Sequence, residues 1–285
     1  MTFSIVAYDA AAKQWGVAVE SKFLAAGAIV PYAKAGVGAV ATQAHANTTY
    51  GPRGLALMAE GLPADVALQA LLANDPESDR RQVGLVDANG RAAAHTGARC
   101  LNWAGHVTGE GYTCQGNILA GPAVVQAMAR AYEAASGELA ERLVTALQAG
   151  QDAGGDRRGQ QGAGLLVVQV AGGYGGYNDR VIDLRVDEHA TPIAELRRIL
   201  ALHRLYFGKP RPEDLLPIEG DLAREMQAIL QRAGTYKGAV TGVYDAATHA
   251  ALVELSSTEN FEERQQPDAK IDRVVLDFLR GRFRA

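Results

Sequence analysis

The chain opens on a strict alternation. Phe3, Ile5 and Ala7 fall on one side of an extended backbone and Thr2, Ser4 and Val6 on the other, the period of a half-buried strand. Asp9 to Lys13 reads as a turn, and Trp15 to Val19 as the strand that returns from it. Gly36 to Gln43 is apolar and glycine-rich but short, which favours a buried strand over a helix. Arg53 to Ala73 carries two helical stretches broken at Gly61-Leu62-Pro63. Gln82–Asp87 and Arg91–Thr96 flank Asp87-Ala88-Asn89-Gly90, a strong hairpin signal. Pro122–Ala135 and Glu138–Gln151 are helical by period, Leu165–Val170 and Arg180–Val186 are strands, and Pro192–Tyr206 is a final helix.

Strands joined by short turns pair antiparallel, and here the helices come in pairs rather than singly between strands. That order predicts an α+β fold of packed sheet and helix layers, not a doubly wound parallel sheet. At Phe207 to Pro212 the composition turns to proline and charge. A linker there would separate a large domain, residues 1–208, from a small helical module at 213–285.

Composition narrows the class. Of 285 residues, 48% are hydrophobic and 21% charged, which excludes intrinsic disorder. With 28 basic and 32 acidic residues the net charge is −4, which argues against a nucleic-acid partner. Cys100 and Cys114 do not make a disulfide framework and read as small buried apolar residues. The most apolar stretch, Phe23 to Ala33, is broken by Gly27 and Pro31, far from the ~20 apolar residues of a membrane span. The first residues lack a basic signal-peptide region. A cytoplasmic location, no membrane partner and a homo-oligomeric assembly are the expectations.

No phosphate-binding loop, Gly-x-Ser-x-Gly elbow or His-Glu-x-x-His motif occurs, and the six histidines never fall at paired metal spacing. Asp187-Glu188-His189 reads as a solvated strand end. Neither a metal nor an organic cofactor is expected. The informative feature is Thr2. Methionine aminopeptidases remove Met1 before a small residue, which would leave Thr2 with a free α-amine beside its own hydroxyl. An α-amine titrates at about 7.7–8.0, so part of it is a free base near neutral pH and can take the hydroxyl proton.

Three runs, Thr2-Phe3-Ser4-Ile5-Val6-Ala7, Gly16 to Phe23 and Gly36 to Gln43, resemble a bacterial family, domain of unknown function 1028, grouped with the N-terminal nucleophile (Ntn) hydrolases. Tyr50-Gly51-Pro52-Arg53-Gly54, Gln115-Gly116-Asn117 and Ala153 to Gly159 belong to the same pattern, which covers residues 2–206. The resemblance implies a four-layer αββα sandwich with Thr2 as nucleophile and base together. It implies hydrolysis of a small amide, peptide or ureido compound without naming one. By position alone, Lys34 corresponds to the lysine that threonine proteases set near their nucleophile, with Lys22 as competitor; such a charge would favour the neutral amine. Ser21, Asn47, Gln115 and Asn117 are neutral donors for an oxyanion, with Gln43 and Arg53 beside them as substrate contacts. Asp156 can orient the α-ammonium, and Arg157 can hold a carboxylate in a bidentate fork. Gly-Gly-Asp-Arg-Arg-Gly is equally well read as a helix C-cap and turn.

Leu222 to Leu230 is an amphipathic helix, and Gly242-Val243-Tyr244-Asp245-Ala246-Ala247-Thr248 opens a second. The pattern is similar to a three-helix peptidoglycan-binding-like module, which adds a peptidoglycan fragment to the expected partners. Asp245 also explains that turn as a helix N-cap with no ligand. The competing reading of the whole chain is a non-catalytic binding or assembly protein that keeps the sandwich.

Overall fold

In the computed structural model, which describes residues 2–284, the opening alternation forms strand β1 (Thr2–Asp9), hairpinned to β2 (Gln14–Ser21) with Phe3 opposite Glu20 and Ala7 opposite Gly16. Asp9 makes the turn: its Oδ1 accepts the backbone N–H groups of Ala11 and Ala12, each at 3.0 Å. The chain continues through α1 (Ala26–Ile29), β3 (Pro31–Lys34), β4 (Gly38–Ala44), α2 (Tyr50–Ala59) and α3 (Ala64–Ala73). Then come β5 (Arg81–Asp87), β6 (Ala92–Thr96), β7 (Gly105–Gly109), β8 (Tyr112–Asn117), α4 (Ala123–Ala134) and α5 (Leu139–Asp152). Last in this part are β9 (Gly162–Val168), β10 (Arg180–Val186) and α6 (Pro192–Phe207).

These strands form two antiparallel sheets, one ordered β10-β9-β2-β1-β8-β7 and one β3-β4-β5-β6. β1 is therefore interior, with β2 on one side and β8 on the other. Val6, Val17 and Val19 of the first sheet meet Ala39, Ala41 and Val86 of the second. On the outer face of the first sheet, Phe3 packs beside Met128 of α4 at Gly150 of α5, and Leu139 and Leu143 close over Gly16. Helices α2 and α3 cover the second sheet through Met58, Leu68 and Leu71 against Val40, Val83 and Leu85. Each fully buried Val, Leu, Ile or Phe contributes roughly 1.5–3 kcal/mol, so these apolar faces fix which side of β1 faces which layer. Gly84 of β5 leaves the space that the Gln115 side chain fills; a Cβ there would collide with it.

The two-hairpin, paired-helix order expected from the pattern is present. Three strands lie outside that expectation, β3, β7 and β8, and Gln115-Gly116-Asn117, read above only as a motif, ends β8.

The chain divides into two compact units between Ile199 and Leu200, within α6. The second contains β11 (Leu215–Pro217), α7 (Gly220–Ala233), α8 (Ala246–Thr258), β12 (Lys270–Asp272) and α9 (Arg273–Arg282). It is helical but not all-α, a correction to the sequence reading: β11 and β12 pair antiparallel with Leu216 opposite Ile271. Buried Arg264 enforces that pairing, binding the Asp272 carboxylate and donating to the Leu205 carbonyl at 2.6 Å. Asp245 caps α8 as expected, accepting the Thr248 N–H at 2.8 Å. No helix among the described residues is long and apolar enough to cross a membrane.

Candidate functional site

The alternation of β1 places the Thr2, Ser4 and Val6 side chains between the sheets and Phe3 and Ile5 under the helices. Thr2 begins the strand, opposite Asn117 of β8, and is only 8% exposed. Its Oγ1 lies 3.0 Å from Ser21 Oγ at the end of β2, a hydroxyl pair created by the hairpin register. The Thr2 carbonyl accepts a hydrogen bond from Gln43 Nε2 at 3.4 Å. The expectation that Met1 is removed falls on a residue outside those described.

Behind Thr2 lies a buried array of amides. Ser4 Oγ donates to Gln43 Oε1 at 2.7 Å and accepts from Gln115 Nε2 at 2.6 Å. Gln82, at the head of β5, has its Nε2 against the Gly116 carbonyl at 2.7 Å and the Gly105 carbonyl at 3.2 Å. Carbonyls only accept, so the orientation of that amide is determined. Its Oε1 then accepts from both Gln43 Nε2 and Asn117 Nδ2, each at 2.9 Å. Gln43 and Gln115 are thus spent on internal partners between the sheets.

A second group closes the end of the first sheet. The loop after α5 bridges back to the chain beyond β8, Leu119 to Asp156. The Asp156 carboxylate is fully buried and accepts the Lys22 backbone N–H at 3.0 Å, the Arg158 backbone N–H at 2.8 Å and Arg158 Nη2 at 3.3 Å. Because β1 lies between β2 and β8, this loop crosses in front of the first residue of β1. Beside Asp156, Glu20 is completely buried on the helix face, next to Phe3. Burial and then the nearby Asp156 charge push its carboxyl up to about 8, and the Gln161 backbone N–H offsets only part of this.

The other sequence candidates lie elsewhere. Asn47 is held by its neighbours: Nδ2 donates to Asp75 at 3.0 Å and Oδ1 accepts from Thr49. Asp75 also binds Tyr50 OH and Arg81, whose guanidinium keeps this carboxylate well below its usual range. Arg53 is exposed on α2. Arg157 is exposed, with its backbone N–H on the Ile118 carbonyl at 3.5 Å, one residue from Asn117. Lys34 is not brought to Thr2. It is exposed at the Gly38 end of β4, whereas Gln43, which reaches Thr2, lies near the other end. At the rise of a strand the separation is roughly 16 Å. Lys22 is at the right end, its Nζ on the Gln160 carbonyl at 3.2 Å. Phe23 and Leu24, following it, are exposed apolar side chains, as is Leu101, whose carbonyl holds the Ile118 N–H.

Sequence reasoning missed Glu20 and Gln82. A carboxylate at a position in phase with Gly16 and Ala18, on the buried face of β2, was the available signal for the first. Among the described residues, no group of three His, Cys, Asp or Glu could hold a metal.

The chain belongs to a family of unknown function, DUF1028, whose model matches residues 2–196. Residues 206–279 match the model described as "Putative peptidoglycan binding domain". The chain is similar to the crystal structure of protein SPO2555 from Silicibacter pomeroyi, a DUF1028 protein, with 28% identity and a TM-score of 0.65 over 71% of this chain and 89% of that one. No curated protein is similar enough to count as a match.

Proposed function

We propose that residues 1–208 form the four-layer αββα sandwich of an Ntn hydrolase and cleave a small amide, peptide or ureido bond with Thr2 after Met1 is removed. The observation that carries this reading is Thr2 itself, the first residue of an interior strand, with its hydroxyl 3.0 Å from that of Ser21. In this mechanism Thr2 Oγ1 attacks the scissile carbonyl carbon and its proton passes to the α-amine. The tetrahedral intermediate expels the leaving amine, which takes that proton, and water then hydrolyses the threonyl ester. Ser21 Oγ and Asn117 are the nearest neutral groups for the oxyanion. Exposed Arg157 is suited to a substrate carboxylate, and Phe23, Leu24 and Leu101 to an apolar group. Lys34 has no part in it. Residues 213–285 are a separate module whose family match supports a peptidoglycan fragment as partner, and free thiols at Cys100 and Cys114 accord with a cytoplasmic protein.

The test is intact mass followed by hydrolysis of a panel of small amides, dipeptides and ureido compounds. Loss of one methionine, activity abolished in Thr2→Ala and partly kept in Thr2→Ser are the expected results. A Thr2→Ala variant as active as wild type, or full activity with an uncleaved N-terminal tag, overturns the reading and leaves a binding protein on the same sandwich.

A further inference from the structure

Glu20 is a fully buried side chain at this end of the sheet that the mechanism above leaves unused. Among the described residues neither of its carboxyl oxygens makes a well-formed hydrogen bond, although the residue has no exposed surface. An isolated buried carboxyl is expensive, and such groups normally exist paired or hydrogen-bonded. What faces it relieves it only in part. Asp156 adds a second negative charge; the Arg158 and N-terminal charges offset only part of it, and Arg158 is itself bound to Asp156. Lys22 directs its Nζ to the Gln160 carbonyl.

The register identifies the missing cation. Glu20 is the cross-strand partner of Phe3, so its Cα lies about 4.5–5.5 Å from a residue adjacent to Thr2. Asp156 reaches from Leu119, beyond β8, to Lys22, beyond β2, and so spans the gap in front of β1. The two carboxyls therefore flank the point where the backbone of Thr2 begins. The Thr2 hydroxyl is on the opposite face with Ser21, and Glu20 is on the helix face with Phe3.

We infer that Glu20 and Asp156 form a two-carboxyl socket for the α-ammonium created at Thr2 when Met1 is removed, with Glu20 as a positioning residue for the nucleophile's own base. This rests on the N-terminal nucleophile reading. The socket holds the amine at the strand end, bonded directly to the Cα that carries the reacting hydroxyl arm. It also ties processing to ionisation: before Met1 is removed Glu20 keeps its proton, and afterwards the new ammonium lets it give that proton up.

The experiment measures the amine directly and needs no substrate. The pH dependence of N-terminal labelling by an amine-selective acylating reagent gives the Thr2 amine titration in the processed wild type, Glu20→Gln and Asp156→Asn. Glu20→Gln keeps size and removes the charge, so the amine should titrate about one pH unit lower than in wild type, with Asp156→Asn moving it the same way. As a check that needs no variant, the carbon-13 signal of the Glu20 carboxyl should titrate at clearly higher pH in a tagged protein than in the processed one. Processed Glu20→Gln with an unshifted amine, or a Glu20 carboxyl that titrates alike in both forms, overturns the socket. If Thr2-dependent hydrolysis is nonetheless found, the nucleophile reading survives that failure. Retention of Met1 in the purified protein overturns both.

Discussion

Asp156 accepts the backbone N–H of Lys22 at 3.0 Å, and through that bond a loop that follows α5 closes the end of a sheet begun by the first strand of the chain. The contact joins residues 134 positions apart, and it is made by a carboxylate with no exposed surface.

Asp156→Ala removes three acceptor contacts at once and leaves two backbone N–H groups without their partner. Loss of a buried, charge-assisted set of this kind costs about 2–4 kcal/mol. Denaturant unfolding should register it, with Arg157→Ala, whose side chain is exposed, within about 0.5 kcal/mol of wild type.

Gln82→Leu leaves the Gln43 and Asn117 amides without their shared acceptor and the Gly116 carbonyl without its donor. A loss of about 2–4 kcal/mol follows from buried polar groups left unsatisfied. Gln82→Glu sets a carboxylate oxygen against the Gly116 and Gly105 carbonyls and should lose at least as much at neutral pH in the same unfolding assay, the loss easing at low pH where the protonated carboxyl can donate.

Lys34→Ala should change neither stability nor hydrolysis of any substrate found, because Lys34 is exposed roughly 16 Å from Thr2 along β4. A large loss of turnover in kinetic assays would mean that the register does not set the site.

Stability should depend on Glu20 as pH rises. Its folded carboxyl titrates near 8 and its unfolded one near 4.5, so the folded state holds the proton more tightly. Stability is then greatest below 4.5 as far as this group is concerned and declines between 4.5 and 8. In a tagged protein, Glu20→Gln should remove that decline, gaining up to a few kcal/mol over wild type at pH 8 and little at pH 5, by denaturant melts at the two pH values.

A fragment of residues 1–208 retains the whole of α6, which ends at Phe207, and both sheets of the first unit. It should be soluble and cooperatively folded by circular dichroism. An unfolded fragment would make the C-terminal module part of the same folding unit.

The β1–β2 hairpin was legible because β1 alternates and Asp9 supplies turn chemistry, and the β5–β6 hairpin of the second sheet because of Asp87-Ala88-Asn89-Gly90. β8 was not. In Tyr112-Thr113-Cys114-Gln115-Gly116-Asn117 the polar Thr113, Gln115 and Asn117 face the buried space between the sheets, where a run ending Gln-Gly-Asn reads as a turn rather than a strand. Thr2 lies beside Ser21 through the 3.0 Å hydroxyl pair and opposite Asn117 in the β1–β8 register, while Asp156 is fixed one residue beyond Ser21, on the Lys22 N–H. Lys34 shows the limit: distance along the sequence does not give position along a strand, which depends on a hairpin register that only the paired structure supplies. Glu20 was passed over because a charge on a strand reads as solvent-facing, and its burial is decided by the α5 loop, more than a hundred residues away.

The Gln82 amide has a further consequence. Two main-chain carbonyls hold its nitrogen, so it cannot turn over, and through it neither can the Asn117 amide. Any molecule arriving beside Thr2 therefore meets dipoles already aimed, like type locked in a frame, and must bring the matching face with it. On the proposed reading, adaptation is left to the exposed Phe23, Leu24 and Leu101, and substitutions there should change which compounds are accepted while the amide array stays silent.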